Sequence, residues 1–363
     1  MAATVKGRET LRGVGEQVLD LICRTCTPEQ WAALLKAPLE LAATNGAGAV
    51  AHKLVDAGAA MGVAVHAAVR EGHGAIADFL LESGASTATR DANGDTPLHV
   101  AAIAGKPSIT RSLLFKGADK NARGRDGRTP LHYAAKHGRV TVTETLLAAG
   151  ADLNLRFGDD EISPLDTAAG EGHLDVLKAM IEHGADVDAA SPNGRTALIY
   201  AVSQNKVGAI DVLVGAGAKL AARDVVGRAA LHHAAHRPRH FEAALCLLNL
   251  GAEANALTNL GQAPLHYAAA QAGKKGTADM VDLLIRWGAD ETIADKNNQK
   301  ALDIVGSRVR EEARLEQDLE RVRKLLANAP AWRRAHPDRS QVGGDWTGLA
   351  ARVLGLAEEG LLL

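Results

Sequence analysis

The sequence predicts an all-α solenoid of stacked helix–turn–helix units, and three observations support that prediction. A short motif recurs with a period near 33 residues, and its second position falls at Pro97, Pro130, Pro164, Ala197, Ala230 and Pro264. Each copy is followed by a glycine at the distance where a second helix would end. Aromatic residues make up only 3% of the 363-residue chain although 47% of its residues are hydrophobic. Thin layers of short helices suit this composition better than one large globular core.

The repeat at 91–122 shows how each unit is built. Asn93 and Gly94 supply the backbone conformations that a tight turn needs. Thr96 follows as a helix N-cap, and Pro97 occupies the first helical position, where a missing N–H has no consequence. A second helix is predicted from about Ser108 to Lys116. Because neither helix is long enough to be stable alone, the unit must bury its apolar face against neighbouring copies.

The registered motifs resemble those of the ankyrin-repeat family. They are TPLHVAA (96–102), TPLHYAA (129–135), SPLDTAA (163–169), TALIYAV (196–202), AALHHAA (229–235) and APLHYAA (263–269). The resemblance covers roughly residues 38–305, as about eight repeats and a terminal half-repeat. It implies stacked helix pairs joined by β-hairpin-like fingers, with a binding surface on the concave face that the finger tips and the first helices form.

We predict four segments along the chain. They are an N-terminal helical cap (1–37), the repeat array (38–305), a C-terminal capping helix (306–330), and a linker with a short apolar tail (331–363). A capping helix is favoured over a coiled coil because its apolar stripe spans too few heptads. The tail, with Val353, Leu354 and Leu356, is compatible with docking on the array, with binding a partner or with disorder. The sequence leaves these three open.

Composition and charge narrow the functional classes. The formal net charge of −2 gives no bias toward nucleic acid or an anionic membrane. No run of about 18 apolar residues is present, and three cysteines are too few for a disulfide framework. We therefore expect a monomeric intracellular protein, cytoplasmic and/or nuclear, that does not associate with membranes.

The histidines raise the question of a metal site or a catalytic site. Five occupy the motif's histidine position, where the resemblance implies structural hydrogen bonds: His66, His99, His132, His232 and His266. His232 and His236 have a spacing that can hold a metal, but no acidic or cysteine ligand lies nearby in sequence. Cys23 and Cys26 form a lone CxxC pair. With no GxSxG, Walker A or HExxH motif, we predict no catalysis, no cofactor and no metal.

The positions that would line the concave face change charge from repeat to repeat. We predict that these residues bind a protein partner: Arg125, Arg128, Tyr133, Lys136 and His137 in the fourth repeat; Asp159, Asp160 and Glu171 in the fifth; Arg195, Tyr200 and Gln204 in the sixth; Arg228, His233, His236 and Arg237 in the seventh; Tyr267 in the eighth. The basic fourth and seventh repeats predict acidic segments at two places on the partner.

Two alternatives remain at this point. Charged finger tips also keep a solenoid soluble, so the charge pattern does not by itself require a partner. The chain could also serve as a regulatory or inhibitory subunit of an enzyme complex. A nucleic-acid-associated role is disfavoured because an acidic repeat interrupts the basic ones.

Overall fold

The computed structural model describes residues 28–305 and 320–329, and its helices follow the predicted period. Residues 320–329 are helical. The other helices are α1 (Pro28–Thr44), α2 (Gly48–Asp56), α3 (Ala64–Glu71), α4 (Gly74–Glu82), α5 (Pro97–Ala104), α6 (Pro107–Phe115), α7 (Pro130–Lys136), α8 (Val140–Ala148), α9 (Pro164–Glu171), α10 (Leu174–Glu182), α11 (Ala197–Ser203), α12 (Val207–Gly215), α13 (Ala230–Ala235), α14 (Phe241–Asn249), α15 (Pro264–Ala269), α16 (Thr277–Arg286) and α17 (Ala301–Ile304).

The chain divides into two compact units. The N-terminal unit comprises residues 1–164 and 182–185, and the C-terminal unit comprises 165–181 and 186–363. In the N-terminal unit the first helices α1, α3, α5 and α7 pack side by side, and the second helices α2, α4, α6 and α8 form another layer. In the C-terminal unit α11, α13, α15 and α17 form the first layer, and α12, α14 and α16 form the second. The all-α repeat architecture predicted from the motifs is confirmed.

Fully buried leucines on most of the helices form the core of each unit. The fully buried leucines include Leu80, Leu98, Leu113, Leu131, Leu146, Leu198, Leu213, Leu231, Leu247 and Leu265. Alanines beside them are equally buried and let the helices approach closely. Burying one leucine side chain contributes roughly 1.5–3 kcal/mol. Since each leucine packs against neighbouring repeats, the layers stabilise one another rather than folding alone.

The motif histidines connect adjacent repeats. The Thr96 N–H donates to Nδ1 of His99 at 3.1 Å, so Nε2 carries the proton and donates to the Arg128 carbonyl at 3.1 Å. The same link from imidazole to the next finger recurs at 3.0–3.2 Å for His66, His132, His232 and His266. Burial lowers the pKa of His99 to about 4, which keeps the ring neutral. The structural role predicted for these histidines is confirmed.

The fingers are tight five-residue turns. The N–H of Asp91 donates to the Asp95 carbonyl at 2.9 Å, and Asp224 bonds Arg228 in the same way at 3.0 Å. The tip residue has a positive φ and is usually glycine, but Glu161 takes this conformation at φ +46° in the fifth repeat. Among the described residues the fingers contain isolated antiparallel bridges, such as Phe157 with Ile162, rather than extended strands.

The first helix continues across the predicted start of the repeat array. α1 runs unbroken from Pro28 to Thr44 with Pro38, where the array is predicted to begin, inside it. Leu35, Leu39 and Ala43 are buried along one stripe of this helix, which packs against α3. An internal proline removes one helical hydrogen bond. We attribute the continuity of α1 to the burial of that stripe. Comparison of the repeat motifs along the sequence does not reveal this burial.

The C-terminal end of the described chain lies against the last second helix. In the helix 320–329, Val322, Leu326 and Ala329 are buried, and Nη2 of Arg321 lies 3.1 Å from Oδ1 of Asp279 on α16. The predicted N-terminal cap, most of the C-terminal capping helix and the tail lie partly or wholly outside the described residues (1–27, 306–319 and 330–363). Those segment assignments stay predictions.

Candidate protein-binding surface

The fourth repeat presents a basic surface in the N-terminal unit. Arg125, Lys136 and His137 are exposed there. Arg128, by contrast, is held inside its finger, where Nη1 donates to Asp126 at 2.8 Å and the guanidinium lies 4.1 Å from the centre of the Phe157 ring. Among the predicted basic residues, Arg128 is therefore the one that braces the finger through Asp126 and Phe157, and the side chains of Arg125, Lys136 and His137 are more exposed.

Tyr133 lies half-buried on α7 between two repeats. Its hydroxyl is 3.4 Å from Oδ1 of Asp95, and its ring meets the His99 ring edge-on with 5.7 Å between centres. Burial raises the pKa of Asp95, repulsion from Asp91 adds to the rise, and the Tyr133 hydroxyl partly offsets it. Tyr133 thus fixes the position of the preceding finger and offers only part of its ring to a partner.

The fifth repeat has an acidic finger tip. Asp159, Asp160 and Glu161 are exposed in succession, in a turn closed by the bridge between Phe157 and Ile162. The guanidinium of Arg156 donates to the Glu161 carbonyl at 2.8 Å and so fixes the backbone of the tip. One turn of the N-terminal unit therefore exposes three carboxylates whose backbone is held in place. The predicted acidic residue Glu171 is also exposed and belongs to the C-terminal unit.

A buried carboxylate organises the seventh repeat. The side chain of Asp224 is only 1% exposed, and its Oδ2 accepts hydrogen bonds from Nε of Arg228 at 2.8 Å and from Nε2 of His233 at 3.0 Å. Its Oδ1 accepts the N–H groups of Val226 and Arg228. Burial raises the pKa of Asp224, but the backbone N–H and guanidinium of Arg228 outweigh it, and the net pKa is lowered. Asp224 therefore stays ionised.

Two predicted contact residues belong to this buried cluster. Burial, with a further contribution from the neighbouring Arg228, lowers the pKa of His233 to about 4, so the imidazole is neutral and donates to the carboxylate. The side chain of His233 is 10% exposed and that of Arg228 is 26% exposed. Both residues hold the finger to α13. The sequence predicts Arg228 and His233 as contact residues because the repeat pattern does not reveal that both bond Asp224.

The other predicted residues of the C-terminal unit lie nearer to solvent. Gln204, His236 and Arg237 are exposed, while Arg195, Tyr200 and Tyr267 are half-buried. The guanidinium of Arg237 donates to the Ser203 carbonyl at 3.1 Å, and the His236 ring lies 6.0 Å from the Tyr267 ring, edge-on. These residues of the sixth, seventh and eighth repeats line the finger and first-helix side of the unit.

Apolar finger tips are a feature that the sequence reasoning missed. Val225, Val226, Leu257 and Leu260 are 60%, 45%, 41% and 56% exposed in the seventh and eighth fingers. The corresponding tips of earlier fingers have polar residues, such as Asn93 and Asp126. The signal was therefore available in the motif alignment as apolar residues directly before the tip glycine. Exposed apolar side chains on adjacent fingers are a candidate contact surface.

The geometry gives no support to a metal centre. His232 bonds the Ala229 N–H and the Gln262 carbonyl, and His236 bonds Gln271. Within residues 28–305 and 320–329, no three histidine, cysteine, aspartate or glutamate side chains converge to hold a metal ion. Cys23 and Cys26 lie outside that part of the chain. No helix in the same described part is both long and apolar enough to cross a membrane.

Comparison with known proteins agrees with this architecture. The family model described as ankyrin repeats (3 copies) matches residues 39–124, 65–157, 155–224 and 218–295. A protein named "Probable E3 ubiquitin-protein ligase XBOS33" from Oryza sativa subsp. japonica is 39% identical over 20% of this chain and 14% of its own length. An L-asparaginase from Dirofilaria immitis is 31% identical over 38% of this chain and 22% of its own length. The chain therefore spans less than a quarter of either relative.

Proposed function

Because the chain belongs to the ankyrin-repeat family, we propose that it binds a protein partner through the concave face formed by its finger tips and first helices, and that it catalyses no reaction. Ankyrin repeats are protein–protein interaction modules. The observation that supports the choice of face is the contrast within each repeat. Core positions repeat the same leucines and alanines, whereas the exposed finger and first-helix positions differ from repeat to repeat.

The partner chemistry follows from the exposed side chains. Arg125, Lys136 and His137 favour an acidic segment at the fourth repeat, since opposite charges at an interface increase both specificity and association rate. The apolar tips Val225 and Leu260 favour an apolar side chain at the seventh and eighth repeats. The proposed partner therefore combines an acidic stretch with an apolar anchor.

The test separates charges that face a partner from charges that brace the fold. Partners are captured from cell extract with the full chain and identified by quantitative mass spectrometry, and the affinity of the leading candidate is measured by calorimetry. The double variant Arg125→Glu/Lys136→Glu is expected to weaken binding by roughly 1–3 kcal/mol, about 5- to 150-fold in Kd, because exposed interface charges act in this range.

The matched control is Arg111→Glu, an exposed arginine on the second helix α6 of the same unit. It changes charge in the same direction on the opposite layer, and we expect unchanged affinity. Equal loss of binding in both variants would show a general charge effect, and no loss in either would remove the fourth repeat from the interface. Arg128 is a poor choice for this test because its reversal would also disturb Asp126 and Phe157.

A further inference from the structure

A groove with an apolar floor crosses the second-helix layer of the C-terminal unit. It has a volume of about 370 Å³ and lies between α12 and α14, on the layer opposite the proposed binding face. Its lining is Val207, Asp211, Phe241, Glu242, Leu245, Cys246, Asn249 and Leu250. The thiol of Cys246 donates to Oδ1 of Asp211 at 3.2 Å and so joins the two helices across the groove.

The corresponding layer of the N-terminal unit is polar. There the Ser112 hydroxyl donates to Asp78, and Nζ of Lys116 lies 3.2 Å from Oε1 of Glu82, so side chains of adjacent second helices pair with each other. In the C-terminal unit the bond from Cys246 to Asp211 corresponds to the bond from Ser112 to Asp78, but Gly215 and Leu250 stand where Glu82 and Lys116 form their pair. The groove between α12 and α14 therefore has one polar link and, with Phe241 and Leu245, an apolar floor that suits an apolar occupant.

We propose that this groove is occupied by the chain's own segment 349–363, LAARVLGLAEEGLLL, whose Val353, Leu354 and Leu356 would enter it. The segment matches the groove in charge as well as in hydrophobicity. Arg352 precedes the apolar residues directly, and the carboxylates of Asp211 and Glu242 lie at the groove. An arginine beside an apolar run suits an apolar floor with acidic side chains at its edge.

The length of the intervening chain allows this contact. The helix 320–329 is anchored to α16 by Arg321 and Asp279, and α16 neighbours α14 in the second-helix layer. Packed helices lie about 8–10 Å apart, so the groove is on the order of 10–20 Å from the anchor. A flexible chain as long as residues 330–348 would have a root-mean-square span of about 25 Å. Such a tether gives the segment an effective concentration of about 1 mM at the groove, an advantage that a free partner lacks.

Cys246 provides a natural probe of the occupied groove. In a full-length chain with Cys23→Ser and Cys26→Ser, Cys246 is the one remaining thiol of the three in the sequence. Its rate of modification by N-ethylmaleimide is measured at pH 8.5, where reaction is slow because burial raises the thiol pKa to about 12. The substitutions Val353→Asp/Leu354→Asp are expected to increase that rate about tenfold by releasing the segment.

A matched control and a charge swap make the test specific. Val342→Asp makes the same change in the connecting segment and should leave the rate unchanged. Arg352→Glu should raise the rate, and adding Glu242→Arg to it should restore protection, which a general loosening of the groove would not do. Equal rates in the starting chain and in the Val353→Asp/Leu354→Asp variant would overturn the proposal. So would protection that grows with protein concentration, because the occupant would then be a second copy of the chain.

Discussion

The two units hold their fingers together in different ways. In the N-terminal unit, arginine side chains reach across: Arg90 donates to the Arg123 carbonyl at 2.7 Å, and Arg123 donates to the Arg156 carbonyl at 2.8 Å. The C-terminal unit has a related arginine contact from Arg223 to Leu257, and its fingers are also joined through the main chain. The Val225 N–H donates to the Asn193 carbonyl at 3.0 Å, and the N–H of Asn259 and of Lys296 repeat this link at the next two fingers.

This difference explains where side chains are free for binding. Where the main chain joins neighbouring fingers, some tip side chains can be apolar, as Val225, Val226 and Leu260 are, although Asn259 still donates to the Val225 carbonyl. In the N-terminal unit, arginine side chains join neighbouring fingers. A charged side chain such as that of Arg123 therefore donates to carbonyl groups of the fold although it lies on the surface. Surface charge in the N-terminal unit is therefore a poorer guide to binding than exposed apolar surface in the C-terminal unit.

The largest expected effect tests the buried carboxylate of the C-terminal unit. Replacing Asp224 by alanine leaves the Arg228 guanidinium and the His233 imidazole without their shared acceptor. The backbone N–H groups of Val226 and Arg228 lose their acceptor as well. Breaking a buried ion pair in this way costs about 3–5 kcal/mol. Urea denaturation measures the change in the free energy of unfolding, with Trp287 as a fluorescence reporter in that unit.

The matched variant in the N-terminal unit is Asp91→Ala. Asp91 begins its finger at the same position and accepts the Asn93 and Asp95 N–H groups, but its only nearby cation in the described structure is Arg70, at 3.7 Å and half-exposed. We expect a loss of about 1–2 kcal/mol from the turn hydrogen bonds. Equal losses in the two variants would mean that the Asp224 cluster adds no stability beyond its turn.

The second prediction concerns how the free energy of unfolding depends on pH. Burial lowers the pKa of His132 in the N-terminal unit and of His233 in the C-terminal unit to about 4, against an ordinary value of 6.5. The unfolded chain therefore binds more protons between pH 6.5 and 4, and the free energy of unfolding falls as the pH is lowered through that range. Each histidine contributes at most about 3 kcal/mol to this loss.

The comparison is made by removing one titrating group from each unit. His132→Asn and His233→Gln each remove one proton from the difference between the two states, so each variant should show a shallower decrease of stability between pH 6.5 and 4. Stability is measured by urea denaturation at several pH values. A pH dependence identical to that of the parent chain would show that the replaced imidazole titrates alike in the folded and unfolded chain.

The third and smallest effect tests the close main-chain contact between fingers. At Gly227, φ is +82° and a Cβ atom would lie 2.6 Å from the backbone nitrogen of Asn259, so Gly227→Ala should cost roughly 2–3 kcal/mol. At Gly127, φ is +76° but the nearest atom to a Cβ would be 3.7 Å away. Gly127→Ala should therefore cost only about 1 kcal/mol from backbone strain.

Amide hydrogen exchange gives the readout for this pair. Gly227→Ala should speed exchange at Asn259, whose N–H bonds the Val226 carbonyl at 3.1 Å, in addition to lowering global stability. Gly127→Ala should leave exchange in the C-terminal unit unchanged. If both alanine variants lower the free energy of unfolding equally, backbone strain at the left-handed residue would explain both losses. The close contact between Gly227 and Asn259 would then have no separate effect.

The repeat period alone predicts much of the fold. Proline or its substitute begins the first helix at Pro97, Pro130, Ala197 and Ala230, because capping and proline geometry are local and act wherever the motif occurs. The bond from each motif histidine to the next finger is also predictable from the family resemblance. The motif does not predict that α1 continues through Pro38, because that continuity depends on the packing of α1 against α3.

The sequence by itself determined the fold class and the start of most first helices, because these depend on local backbone preferences and a fixed period. Only the tertiary structure decided which charged residues bond other side chains of the fold. Arg128, Arg228 and His233 look available in the sequence, yet Phe157 and Asp224 engage them across a finger. Such pairings depend on how neighbouring turns and helices stack in space, and no spacing along the chain specifies that.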